Sequence, residues 1–115
     1  MVDLKLRTKQ YALRIIRLYS TLPNTVVAQV IGKQLMRSGT SVGANYREAV
    51  RARSRAEFIS KANISLQELD ETAYWLELLR DSVNPDVDLA PLIRETDELT
   101  AIFVIMIKNA KAKRS

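Results

Sequence analysis

Any chemistry in this chain must proceed without histidine or cysteine, because neither occurs among its 115 residues. That removes the usual general base, the usual thiol nucleophile and most transition-metal sites, and leaves carboxylates, Lys, Tyr and Ser. The most distinctive spacing lies in Gln34 to Ala49, where Ser38, Ser41, Asn45 and Glu48 are separated by three, four and three residues and share one face of a helix. Glu68 and Glu71, three apart further along, form a carboxylate pair that Glu48 is expected to face. An all-carboxylate set suits Mg²⁺ at most; a di-iron bundle site needs Glu-x-x-His, which a chain without His cannot supply. Gly39-x-x-x-Gly43 lacks the Lys and the strand-to-helix context of a phosphate loop. No catalytic residue, metal or cofactor is therefore expected. The six residues read instead as a structural polar layer between two helices. Buried polar groups are costly unless they satisfy one another, so Asn45→Ala is expected to cost roughly 1 to 3 kcal/mol.

A second pattern is basic. Arg47, Arg51 and Arg55 recur every four residues, Arg53 lies between them, and Lys61 follows one to two turns later. Such a ridge can line up on phosphates. Lys5, Arg7, Lys9, Arg14 and Arg17 add a further cluster near the start of the chain. The net charge of +5 hides a segregation: residues 1 to 67 hold twelve Lys/Arg and three Asp/Glu, residues 68 to 98 two and ten, and residues 99 to 115 four and none. A basic surface directs attention to RNA or DNA, and an acidic block to protein contacts or self-association. Aromatic interleaving for single-strand stacking is thin, since Tyr46, Tyr74 and Trp75 read as interior.

The elements that must position these residues are helices. A chain of 115 residues is one domain, and three Gly and three Pro leave room for few turns. The absence of Cys, of an apolar leader at Met1 to Lys5 and of an apolar run long enough to span a bilayer points to a soluble protein of the cytoplasm. Apolar periodicity predicts four helices, at about Leu4–Ser20, Thr25–Arg53, a third beginning at the capping box Ser54-Arg55-Ala56-Glu57 and running to about Ser82, and Leu89–Ala112. Asn24 and Asp88 are the expected N-caps of the second and fourth, Val83 to Val87 the connecting loop, and Lys108 to Ser115 a basic, fraying tail. Gly32, Gly39 and Gly43 weaken the second helix unless a neighbouring helix approaches closely there, and a break near Gly39 stays open. The expected architecture is all-α, an antiparallel up-down four-helix bundle with long second and third helices. Tyr74, Trp75 and Leu78 lie off the core stripe of the third helix, and Ala101 to Ile107 is apolar all round. Tyr74, Trp75, Leu78, Phe103 and Met106 are accordingly expected at a contact between subunits.

The stretch Gln34-Leu35-x-Arg37-Ser38-x-x-Ser41-Val42-x-Ala44-Asn45-Tyr46-x-Glu48-Ala49, followed by Arg51-Ala52-Arg53-Ser54, resembles the signature of the bacterial four-helix-bundle proteins encoded in intervening sequences of 23S ribosomal RNA genes. The likeness continues through Phe58-Ile59-x-Lys61 and Glu68-Leu69-x-Glu71-Thr72-x-Tyr74-Trp75-Leu76 and covers most of the chain. Many members read Ile-Ala where this chain has Tyr46-Arg47, and Gly where it has Ala49. The resemblance implies an up-down bundle assembling into a ring-like homopentamer. It also implies a relation in fold to the accessory variability proteins of diversity-generating retroelements, which bind reverse transcriptase and nucleic acid through a basic surface. The function expected from residues and resemblance together is a non-enzymatic oligomer that binds RNA or DNA electrostatically as an accessory to nucleic-acid machinery. The alternative is a protein–protein scaffold without a nucleic-acid role.

Overall fold

The computed structural model describes residues 3–83 and 85–113. Met1, Val2, Asn84 of the expected loop, and Arg114 and Ser115 of the expected tail lie outside the described residues. Four helices follow one another: α1 (Leu4–Thr21), α2 (Val26–Val50), α3 (Arg55–Ser82) and α4 (Ala90–Ala112). No strand occurs among the described residues.

The helix starts are set by short polar side chains that satisfy free N–H groups. Asp3 Oδ1 accepts from Leu6 N (3.1 Å), Thr25 Oγ1 from Ala28 N (3.2 Å) and Ser54 Oγ from Glu57 N (3.1 Å). Thr25, rather than the expected Asn24, thus caps α2. α4 begins at Ala90, one residue later than expected, and its N-cap is Leu89, without a side-chain cap bond, rather than the expected Asp88, whose Oδ1 accepts from Ala90 N (3.0 Å) from one residue further back; Pro91 lies in the first turn. At the other end of α2 the helix stops at Val50, three residues before the expected Arg53, because Arg51 N and Ala52 N turn back to Glu48 O and Ala49 O.

Core residues recur every seventh position: Leu4, Tyr11 and Leu18 on α1; Ala28, Leu35, Val42 and Ala49 on α2; Ala62, Leu69 and Leu76 on α3; Thr96 and Phe103 on α4. A 3.5-residue repeat keeps one seam facing the neighbours along long helices, as bundles require. α2 and α3 pack most extensively, and every close pairing is between helices that follow one another in the chain, so α1 and α4 are packed on each other less than successive helices are. α2 is unbroken at Gly39. A Cβ there would stand 2.8 Å from Ile15 Cγ1, one at Gly43 2.9 Å from Thr8 Oγ1, and one at Gly32 2.7 Å from Tyr19 Cδ1. The glycines therefore mark close approach of α1, as their placement mid-helix predicts. As numbers rise along α2 they fall along α1.

α1 is the shortest helix at 18 residues, against 25, 28 and 23 for the others. It begins level with Tyr46, whose phenol is pushed up by burial and, to a smaller extent, by the carboxylate of Asp3. Past that level only three helices continue. Their joint core is a separate cluster of Ala49, Ala62 and Ile107 with Phe58, Ile59, Leu66 and Met106 around it. The molecule is elongated, 52 × 20 × 20 Å, so its two ends are chemically distinct places.

Candidate functional site

Of the six residues expected in one polar layer, the structure buries two. Ser38 is inaccessible and its Oγ lies 2.8 Å from Thr72 Oγ1, while Glu68 is 8% exposed. Ser41 Oγ donates to Arg37 O (2.6 Å) and Asn45 Nδ2 to Ser41 O (2.9 Å), both within α2 itself. Glu48 is exposed and pairs with Lys61 Nζ at 3.0 Å, so it does not face Glu68 and Glu71. Those two carboxylates are held by Arg37, Nη1 to Glu68 Oε2 at 3.0 Å and Nη2 to Glu71 Oε1 at 2.5 Å. The three acids thus end in ion pairs with two different cations, Arg37 and Lys61, along the α2–α3 groove instead of converging on one point.

The polar core is made by residues other than the expected ones. Thr8, Ser65, Thr72 and Thr96 are fully buried at core positions. Tyr11 Oη and Thr96 Oγ1 are 2.6 Å apart, Ser65 Oγ donates to Val42 O (2.8 Å), and Thr72 Oγ1 also donates to Glu68 O (2.7 Å). Burial pushes the Tyr11 phenol well above its usual range, opposed by hydrogen bonding to Thr96 and Thr72. Tyr11, Ser38, Thr72 and Thr96 each come from a different helix, so one small network touches all four. The signal for it was a hydroxyl residue recurring at the seventh-residue spacing of apolar neighbours, as in Leu89, Thr96, Phe103.

The basic residues gather at the α2–α3 corner. Arg47 lies in the last turn of α2, Arg51 caps it, Arg53 sits in the turn and Arg55 opens α3; all four are exposed. The early end of α2 makes them a corner rather than one continuous helical ridge. Among the described residues none of the four forms an ion pair. Lys61, expected with them, is spent on Glu48, and Arg7 of the α1 cluster on Glu95 (2.7 Å) and Glu98 (3.7 Å) of α4. The C-terminal end of α4 lies at the same end of the molecule, since Arg55 and Lys113 line one groove, and it adds Lys108 and Lys111.

The residues expected at a subunit contact divide. Phe103 is inaccessible, packed edge-on against Tyr46 (centroids 5.7 Å, planes at 79°), and so offers no surface to another chain. Trp75, Leu78 and Met106 are half-buried against the core, and Tyr74 is 54% exposed with its ring 5.4 Å from that of Trp75. Within the apolar run of α4 it is Val104 and Ile105 that point outward, 47% and 58% exposed.

A chain with this bundle and this α2 signature matches the 23S rRNA-intervening sequence protein family over residues 3–104. It belongs to that family. A crystal structure at 1.70 Å of a protein of unknown function from the S23 ribosomal protein family of Bacteroides thetaiotaomicron VPI-5482 shares 41% identity with it. The match covers 91% of this chain and 98% of that one, with a TM-score of 0.83. No curated protein matches. Among the described residues no helix of this family member is long and apolar enough to cross a membrane.

Proposed function

We propose that this family member is a non-enzymatic, ring-like oligomer, the homopentamer its family resemblance implies, that binds RNA or DNA through its basic end as an accessory to nucleic-acid machinery. The observation that carries this reading is the corner of Arg47, Arg51, Arg53 and Arg55, exposed and without carboxylate partners among the described residues, with Lys108, Lys111 and Lys113 at the same end. Unpaired surface arginines keep their full capacity for bidentate phosphate contacts. The opposed order of contacts along neighbouring helices supports an antiparallel, up-down course, which is what brings the α2–α3 turn and the α4 terminus together. In an oligomer the corner repeats, and modest contacts per subunit add through multivalency. The carboxylates are engaged by Arg37 and Lys61, which favours structural work for them over catalysis.

The test is binding of labelled single-stranded RNA and duplex DNA between 50 and 200 mM salt, a range over which phosphate-driven affinity falls steeply. The double variant Arg47→Glu, Arg51→Glu should bind every sequence more weakly and lose about 0.7 to 0.9 from the log–log salt slope per phosphate contact removed. Arg55 is left intact because it also borders an apolar groove. Unchanged affinity and slope would hand the protein to the scaffold reading.

A further inference from the structure

Among the described residues several apolar side chains stay exposed, Leu6, Leu13 and Ile16 along α1 included, and two of the surfaces they form are unlike in their charged borders. The first is centred on Tyr74. Lys61 meets Glu48, Ser65 meets Val42, Glu68 and Glu71 meet Arg37, and Thr72 meets Ser38, so the register of α3 on α2 carries Leu78 to about the level of Val30 and Trp75 to that of Lys33. Val27 and Val30 are 53% and 57% exposed. Neighbours of Tyr74 three and four residues away are Asp70, Glu71 and Glu77, besides Leu78. Glu71 is taken by Arg37, while Asp70 and Glu77 form no ion pair among the described residues.

The second surface is the corner that α1 vacates. Where α1 stops, a groove of about 520 Å³ opens, walled by Phe58, Ile102, Ile105, Met106 and Ala110. Its polar border is cationic: Arg55 and Lys113 line it and Lys108 follows Ile105 by one turn. It lies beside the first turn of α3, whereas Tyr74 lies in the last third of that helix. The two surfaces are therefore some five turns apart, roughly 25 to 30 Å along the molecule at 1.5 Å per residue.

We infer that the acid-flanked Tyr74 face of one copy docks into the cation-bordered Ile105 groove of the next. The inference rests on the oligomeric reading above and gives that assembly its two halves. An apolar patch edged on α3 by the unpaired Asp70 and Glu77 complements an apolar groove edged by Arg55, Lys108 and Lys113, although Lys33 stands beside Val30 at the far edge of the patch. Different residues of each copy meet in this joint; in the ring reading it is heterologous and repeats around the axis, whereas a reciprocal pair of the same joints would close a two-fold dimer, which the mass of the wild-type assembly distinguishes.

Mixing complementary variants tests this. Tyr74→Glu destroys the first surface and leaves the groove; Ile105→Lys destroys the groove and leaves the first surface. Both sites are more than half exposed, so both variants should keep the wild-type helical circular dichroism. By light scattering each alone should be a 13.1 kDa monomer, and an equimolar mixture should give a complex of twice that mass and no larger, since one sound joint remains per pair. A mixture that stays monomeric, or either variant alone retaining the wild-type assembly, overturns the pairing. A wild-type chain that is itself monomeric at micromolar concentration overturns the oligomeric reading as well, an outcome distinct from wild-type assembly with failed mixing.

Discussion

Thr72 stands where the polar core depends most on a single hydroxyl, next to Ser38, the Glu68 carbonyl and Tyr11. Thr72→Val keeps the shape and removes the hydroxyl, leaving Ser38 with only a long 3.4 Å bond to Leu35 O. The expected loss is about 1 to 3 kcal/mol, read from urea unfolding. Asn45→Ala should behave differently from its sequence-based expectation. The amide donates only to a carbonyl of its own helix, so its removal strands no partner, and Ala is the better helix former. A change within about 0.5 kcal/mol is expected in the same assay. Tyr11 brings a pH dependence. Because its folded pKa is raised above the ordinary value near 10, the neutral phenol favours folding, and the contribution is whole below about pH 10. It is lost as pH climbs from there toward the folded value, so thermal stability should fall steeply above pH 10 and Tyr11→Phe should flatten that limb. The hydroxyls were hard to read from sequence because Ser and Thr at core spacing look like interruptions of an apolar stripe. Only the partner on a distant helix, as Thr96 is for Tyr11, turns them into a network.

At the scale of elements, helix number, order and the Ser54 capping box were legible, because caps and apolar spacing are local. The ends of α2 were less so: its stop at Val50 depends on backbone bonds from Arg51 and Ala52 that no side chain announces. Phe103 was misplaced because seven apolar residues in a row hide which side is inward, whereas its seventh-residue spacing from Thr96 gives the answer. Close approach at the glycines was readable, but its partner was not. On a solitary helix Gly39→Ala would add about 1 kcal/mol of stability. Here the new methyl meets the fully buried Ile15, so a net destabilisation of about 1 to 3 kcal/mol is expected by thermal denaturation. Gly32→Ala should cost less, since the half-buried Tyr19 ring can swing aside at the expense of its 2.6 Å bond to Gln29.

Over the whole molecule the two ends differ in how their charges are mixed. The corner arginines and the α4 lysines gather at one end, whereas toward the other Glu77, Asp81, Asp86 and Asp88 are interleaved with Arg14, Arg17, Arg80 and Arg94. Which charges stay free was not legible beforehand: Lys61 and Arg7 looked equivalent to their neighbours until the fold set Glu48 and Glu95 beside them. The bundle is also unevenly sewn. Successive helices are packed along their lengths, but α1 and α4 are joined across their seam chiefly by Tyr11–Thr96 and by Arg7 with Glu95 and Glu98. Cooperative openings should start where the fewest apolar contacts must be broken. In native-state hydrogen exchange the amides of α1 should therefore exchange well before those of the α2–α3 hairpin, with a gap that Arg7→Ala widens. The first and last helices act as two leaves hinged on a stable central pair, and the shortest of them opens first.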